Sequence, residues 1–400
     1  ADYGGTPGRT NSVKCDNPDI YAPHLIYAYP IYPLLLYVKF NEQVDSNMLI
    51  NPGNYFIEPE IGNPAMVAIE DHNFNGVSLL LNRALVENTV YSIKGSSDIT
   101  DCTGNHLLED NSIIFSLPEK IKKEAVCISE ILPVPQTGGE DFFEIYNNSS
   151  LAYDLKTLGI GLIDTLSWEV TDVKPLSESG RLILPCDYYV FCKHKENICD
   201  YYYTPFPDHI IEISSIPSFT NDKACPALVR ISDNQVIDWM CYEESMHHPF
   251  LSDTRGVSFE IINYGISAYR RDNWHSASEY SGFATPTAIN SQCISNPGND
   301  AIMEIHPCSF SPDNDGFEDV LEISIETNKA AYVLNLRIFN EAGGLVRYLV
   351  NNYSVSHHSS FYWDGLSDEG ICVNYGIYIL LAELINPHGE FSSFKKACIV

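Results

Sequence analysis

The period of its apolar residues constrains this chain most: wherever a period exists, it is two. Leu36, Val38 and Phe40 alternate with Tyr37 and Lys39, and Val77, Leu79 and Leu81 alternate with Ser78, Leu80 and Asn82. The same holds for Tyr91 and Ile93 around Ser92, and for Leu334, Leu336 and Ile338 around Asn335 and Arg337. Successive side chains of a strand point to opposite faces, so this spacing predicts strands half-buried in sandwiches. No segment carries a helical period over ten residues or more. The stretch Ile377–Ile385 is apolar on both faces, as a central strand of a sandwich would be. Abundant Tyr (25) and Phe (18) favour strands, and scattered Gly (24) and Pro (23) supply the turns between many short ones. The expected fold class is all-β.

A chain of 400 residues is long for one domain and predicts two to four. A short repeat helps to divide it. Residues 6–15 contain Thr-Pro-Gly-Arg-Thr-Asn-Ser followed by Cys15, and residues 285–293 read Thr-Pro-Thr-Ala-Ile-Asn-Ser-Gln-Cys. If the second copy closes a domain, residues 1–15 are expected to be the tail of a preceding module of the same kind. Strand-like segments then fill residues 16–119, and the charged stretch 120–124 reads as a linker. Residues 125–296 form a second unit, with Asp233-Asn234 marking a hairpin. Residues 300–400 form a third.

The formal charge of −30, from 23 basic and 53 acidic residues, repels phosphate backbones and anionic lipid heads. Nucleic acid is therefore excluded as a partner, and no run of 18 apolar residues predicts a membrane span. The 12 Cys include no Cys-x-x-Cys pair, which argues against a zinc ribbon or a thioredoxin-type centre. An even count suits disulfides in an oxidising compartment, although several Cys lie within apolar strands as buried thiols would. Cys186 and Cys192 would stand roughly 20 Å apart on one strand and cannot pair. Cys225 with Cys241, or Cys192 with Cys199, would bridge neighbouring strands.

Three sets of short motifs resemble known families. In the middle unit these are Ile128-Ser129-Glu130-Ile131-Leu132-Pro133, Asp141-Phe142-Phe143-Glu144-Ile145-Tyr146-Asn147, Asp154-Leu155, Ser218-Phe219-Thr220-Asn221-Asp222, Val236-Ile237-Asp238, Gly256-Val257-Ser258-Phe259-Glu260, Trp274 and the Thr285-Pro286…Asn290-Ser291 end. Together they resemble a lamin-tail domain, an Ig-like sandwich of bacterial surface proteins. Val38-Lys39-Phe40-Asn41-Glu42-Gln43-Val44-Asp45, Asn54-Tyr55, Tyr91-Ser92-Ile93 and Asp101…Gly104-Asn105 make the first unit similar to Ig-like domains of S-layer-type proteins. The last unit resembles the Ig-like module of flagellar hook-assembly scaffolds and of type IX secretion tails. Its motifs are Phe310-Ser311-Pro312-Asp313-Asn314-Asp315-Gly316…Asp319, Ile338-Phe339-Asn340-Glu341-Ala342-Gly343, Trp363-Asp364-Gly365 and Gly376-Ile377-Tyr378. The resemblances imply three Ig-like β-sandwich domains in series. One departure is that Ala342-Gly343-Gly344 stands where one class of type IX tail has Arg-Trp-Gly, which leaves a purely structural cap as an alternative.

Few residues are candidates for chemistry. Asp313, Asp315 and Asp319 place carboxylates at positions one, three and seven around Gly316, a spacing that can wrap oxygens around calcium. Ser324 replaces the twelfth-position Glu of an EF-hand, and the competing reading is an acidic turn capped by its own side chains. His247-His248 and His357-His358 are neighbours that point to opposite sides of a strand, a poor chelating geometry. Glu130 and Glu144 sit in two early strands, where a carboxylate pair could do acid–base work; the lamin-tail resemblance places both within that fold's structural signature and implies hydrogen bonding to loop backbone instead. Trp168, Trp239, Trp274 and Trp363 read as core or strand-end packing rather than as a sugar platform, and Trp168 is the one whose exposure is worth checking. No nucleophile elbow, zinc-protease motif or phosphate loop occurs.

The sequence thus points to a non-enzymatic adhesion or scaffold segment, outside the cell or on the outer surface of a bacterium. Its last domain is expected to serve export, anchoring or spacing through the secretion machinery. The expected partners are a surface protein or glycan, and the only expected cofactor, if any, is calcium. The rival is the accessory stalk of a larger secreted hydrolase.

Overall fold

The computed structural model describes residues 19–70, 72–108, 111–294 and 301–400, so the 6–15 copy of the repeat lies outside the described residues. The fold is all-β; among the described residues the α-helices are only Ser46–Leu49 and Lys195–Tyr201. Two compact units are present. The first holds the described residues up to Lys120 together with 150–155 and 179–185; the second holds 121–149, 156–178 and 186–400.

In the first unit a four-stranded sheet runs in the order Leu25–Tyr32, Leu35–Phe40, Gly76–Leu80, Met66–Ile69. A three-stranded sheet of Tyr55–Glu58, Tyr91–Gly95 and Ser112–Phe115 supplies the opposing wall. The alternating residues interlock between them: Leu36, Val38, Phe40, Val77 and Leu79 share one core with Tyr55, Ile57, Tyr91, Ile93 and Phe115. The excursions from the middle of the chain are tied in by chemistry. Leu182 enters this core, the Tyr29 hydroxyl donates to Asp154 at 2.9 Å, and the Arg181 guanidinium lies 5.4 Å from the Tyr27 ring.

The second unit begins with a six-stranded sheet ordered Ile210–Glu212, Tyr188–Cys192, Phe142–Asn147, Val126–Leu132, Phe259–Ile261, Trp274–Ser276. A four-stranded sheet follows, ordered Val170–Pro175, Leu158–Ile163, Pro226–Arg230, Gln235–Trp239. Val126–Leu132 is buried at every position, because it lies inside its sheet with both faces covered. Of the two cysteine pairings proposed above, Cys225–Cys241 is a disulfide, whereas Cys192 and Cys199 are thiols.

Residues 301–400 form two further sheets of the second unit. One is Ile302–His306, Leu321–Glu326 and His358–Trp363; the other runs Leu345–Ser354, Val333–Asn340, Ile377–Ile385, Phe391–Ile399. Their shared core contains Phe310, Leu321, Ile323, Leu334, Leu336, Ile338, Trp363, Leu380 and Leu384. Ile377–Ile385 is an interior strand of its sheet, but only Tyr378, Leu380, Ala382 and Leu384 are buried. Its other parity faces the outside of the sandwich and is half-buried except for the exposed Ile377, so the strand is central in its sheet without being buried on both faces.

Candidate functional site

Three glutamates stand side by side across the six-stranded sheet. The register places Glu144 opposite Glu130, and Glu130 opposite Glu260. All three are fully buried. Like charges directly opposite one another are destabilising, and buried charges more so, so this row needs compensation.

The compensation comes from a strap, residues 285–292. Thr285 N donates to Glu130 Oε1 at 2.9 Å, joined there by Ser258 Oγ. Thr285 Oγ1 and Ser291 Oγ each donate to Glu260 at 2.7 Å, and Gln292 N does so at 3.0 Å. Glu144 accepts from Thr287 N at 2.6 Å and from Ser129 Oγ at 2.7 Å. Asn290 Nδ2 binds the carbonyls of Ser129 and Ile261, which pins the strap to two strands. Burial pushes the Glu130 carboxyl up to about 8, with the charge of Glu260 adding to the effect. Burial likewise lifts Glu260 to about 7 and Glu144 well above the usual carboxylate range. The row therefore retains protons at neutral pH. It is sealed from solvent and spends its acceptors on its own chain, an arrangement suited to holding a fold rather than reaching a substrate.

Glu130 and Glu144 thus hold loop backbone, the role that the resemblance implied for them. Glu260 was not singled out, although an ionisable residue between Phe259 and Ile261 in an apolar strand was its signal. Asp238 plays a similar part: its carboxylate accepts from Ile128 N at 2.8 Å, and burial raises it to about 7.

The strap continues into the terminal domain. The Gln292 side chain accepts from Ala331 N at 2.8 Å and donates to Val355 O at 3.3 Å. His357 N donates to Ser291 O at 2.9 Å, and Ser278 Oγ meets Ser356 Oγ at 2.7 Å. Residues that hold the glutamate row on one side therefore dock the terminal domain on the other. A cleft of about 710 Å³ opens beside this junction, lined by Ile262, Trp274, His275, Lys329, His388 and Glu390 among others. On its wall Lys329 pairs with Glu390 at 2.6 Å, and burial lowers His275 to about 4, which keeps it neutral.

The acidic turn lies in the terminal domain. Asp313, Asp315 and Asp319 each offer a carboxylate oxygen, all within 4.8 Å of one another. Much of their capacity is used locally: Asp313 accepts from Asp315 N, Asp315 from Phe317 N and Asp319 Oδ2 from Gly316 N. Asp319 Oδ1 is buried and has no hydrogen-bond partner. Three carboxylates fit a calcium ion whose remaining ligands come from carbonyls and water. Asp19, Glu42 and Asp101 form a second such group in the first unit, which sequence reading did not find because its members come from distant segments.

The paired histidines do not converge on a common centre. His248 accepts from Phe250 N through Nδ1 and faces Ala331 O through Nε2, and His247 Nδ1 contacts Ser276 Oγ. His357 Nδ1 binds Thr327 O. Among the tryptophans, Trp274 and Trp363 are buried and donate to Ala268 O and Leu366 O, whereas Trp168 is 64% exposed.

Residues 304–396 match the family model of the CHU_C type IX secretion signal domain. The chain is a secreted or cell-surface protein. No helix among its described residues is long and apolar enough to cross a membrane. No curated protein matches it. Among solved structures, the N-terminal part of the bacterial S-layer protein SbsC aligns at 13% identity and a TM-score of 0.22, over 56% of this chain and 44% of that one. Latent PorU from Porphyromonas gingivalis aligns at 11% identity and a TM-score of 0.21, over 94% of this chain and 34% of that one. PorZ from the same organism aligns at 13% identity and a TM-score of 0.19, over 98% and 47%. The chain therefore spans about half or less of the length of each of these. TM-scores this low do not specify a shared domain arrangement. The secretion signal match implies contact with the secretion machinery.

Proposed function

We propose that the chain is a non-catalytic adhesion or scaffold segment, in which the terminal domain directs export and the domain before it makes the surface contact. That preceding domain is read as lamin-tail-like, and the first unit as an S-layer-type Ig-like spacer. The observation that carries the proposal is the match of residues 304–396 to a secretion signal domain, docked through Gln292 and Ser291 onto the module it would deliver. The glutamate row supports the non-catalytic part, because its perturbed carboxyls are engaged by backbone and hydroxyl donors instead of lining an open site.

The test is made in a bacterium that possesses type IX export. Removing residues 300–400 should leave the protein inside the cell. Removing residues 125–296 should leave export intact and reduce attachment of the cells to surfaces. Export that persists without residues 300–400, or attachment unaffected by loss of 125–296, would refute the corresponding half of the proposal.

Calcium is proposed as a structural ligand of Asp313, Asp315 and Asp319. Extracellular modules bind calcium with Kd of roughly 10⁻⁴–10⁻³ M. At ~10 mM calcium the folded state should then gain about 1–3 kcal/mol by mass action. The expected result is a rise in Tm with calcium that disappears in Asp313→Ala/Asp315→Ala. A parent chain whose melting ignores calcium would remove the ion from this turn.

A further inference from the structure

We infer that Trp168, Trp239 and Tyr269 form a binding platform for the apolar face of an uncharged glycan. This names the ligand class for the adhesive reading above and rests on that reading. Three rings from three separate segments meet at the end of the four-stranded sheet. Trp168 and Trp239 have centroids 5.7 Å apart with planes at 79°, and Trp239 and Tyr269 are 5.7 Å apart with planes at 18°. The assembly is not a core. Trp168 is 64% exposed and Tyr269 51%, and Leu166 beside them is 93% exposed. Leaving this much aromatic surface in water has a cost, and contiguous exposed apolar patches commonly mark contact sites.

Each ring is held in place rather than trailing from a loose loop. Trp168 has a φ of +59°, a left-handed conformation that bulky residues avoid and that surrounding structure must enforce. The enforcing bonds are Trp168 N to Asp164 O at 2.7 Å, Leu166 N to Asp164 Oδ1 at 2.8 Å and Asp164 N to Glu169 O at 2.9 Å. Trp239 ends the strand Gln235–Trp239 and packs against the cluster containing Ile163, Ala227 and the Cys225–Cys241 disulfide. Tyr269 lies in a turn closed by Arg270 N donating to Ser267 O at 3.1 Å. Fixing aromatic rings before the ligand arrives lowers the entropy that binding must overcome.

The size and charge of the platform select the ligand. An aromatic side chain offers roughly 200 Å². Two half-exposed rings and the partly buried Trp239 between them offer on the order of 250 Å², well below the ~800 Å² per partner of a stable protein–protein interface. That area matches one or two pyranose rings, whose axial C–H groups form an apolar face that stacks on indole and phenol rings. The cation adjoining the platform, Arg270, is paired with Asp272 at 2.5 Å, so no net positive charge awaits an acidic ligand.

The test is native affinity electrophoresis of the whole chain in gels containing laminarin, mannan, xylan or hydroxyethylcellulose, paired with tryptophan fluorescence titration of the same polysaccharides. The parent chain should be retarded in at least one gel. Trp168→Ala and Tyr269→Ala should each weaken that retardation tenfold or more, and Trp168→Phe should keep most of it. Circular dichroism melts of the variants should overlay the parent, because both positions are exposed. No retardation or fluorescence change with any of the four polysaccharides overturns the platform, as does retardation that both alanine variants retain. The adhesive reading fails separately, through attachment that survives removal of residues 125–296.

Discussion

The melting temperature of the second unit is expected to fall as pH rises from about 6.5 to about 8.5, and Glu130→Gln with Glu260→Gln should flatten that fall. Burial raises Glu130 to about 8 and Glu260 to about 7, and lifts Glu144 as well. In the unfolded chain all three titrate near 4.3–4.5. A carboxyl whose pKa is raised by folding keeps its full proton-linked contribution below the unfolded value and loses it as pH rises through the folded value. The folded state therefore binds more protons between about 4.5 and 8, and stability declines across that window. Each fully shifted group adds a slope of roughly 1 kcal/mol per pH unit. Asp238, raised to about 7, acts in the same direction. His247 and His275 act oppositely but elsewhere. Burial lowers both to about 4, so their contribution is complete above the unfolded value of about 6.5 and is lost as pH falls below it. Above 6.5 the carboxyls carry the fall, joined in the same direction by the exposed His194, which its hydrogen bond with Glu140 raises, so 6.5–8.5 is the interval to read. Glutamine keeps an acceptor oxygen for Thr285 N but cannot ionise, so the double variant should show a shallower fall, with Glu144 and Asp238 keeping their share of it. A parent Tm that is flat or rises over this interval would show that the row is not protonated in the fold.

The strands were legible in the sequence because burial on one face writes itself as period two. Leu36, Val38 and Phe40 in one unit and Leu334, Leu336 and Ile338 in the other are all fully buried. Ile377–Ile385 was legible as a central strand, and its outer parity stays apolar though only half-buried because apolar residues on the outside of a sheet cost little. The glutamate row was half legible. Glu130 and Glu144 stood out as charges in apolar strands, but the strap that meets them is about 155 residues from Glu130 in sequence, and no local pattern encodes that pairing. The excursions at 150–155 and 179–185 were illegible for the same reason. What joins them to the first unit is a contact such as Tyr29 with Asp154, across 125 residues. Trp168 was legible as a residue but not as part of a platform, since Trp239 and Tyr269 reach it only through folding.

The terminal domain should be the part of the molecule most sensitive to one substitution, Trp363→Ala. Trp363 is fully buried, with the rings of Phe310 at 5.4 Å and Tyr378 at 5.3 Å, and its Nε1 donates to Leu366 O at 2.9 Å. Truncation removes the largest buried side chain of this core and leaves a cavity between two sheets too well braced to collapse into it. Such changes cost about 3–5 kcal/mol. A domain of this size has a total stability of about 5–15 kcal/mol, so the loss is a large fraction of it. Trp363→Phe keeps most of the apolar contact and gives up the hydrogen bond, so it should cost roughly 1–2 kcal/mol. Because residues 304–396 match a secretion signal domain and are proposed above to direct export, the folding defect should appear as an export defect. The alanine variant should be retained in the cell, the phenylalanine variant exported nearly as well as the parent, and Trp168→Ala, exposed in the other domain, exported normally. This ordering separates recognition of a folded domain from recognition of a linear signal. If Trp363→Ala lowered the Tm but left export unchanged, the secretion machinery would be reading sequence at this terminus rather than the sandwich that Trp363 holds together.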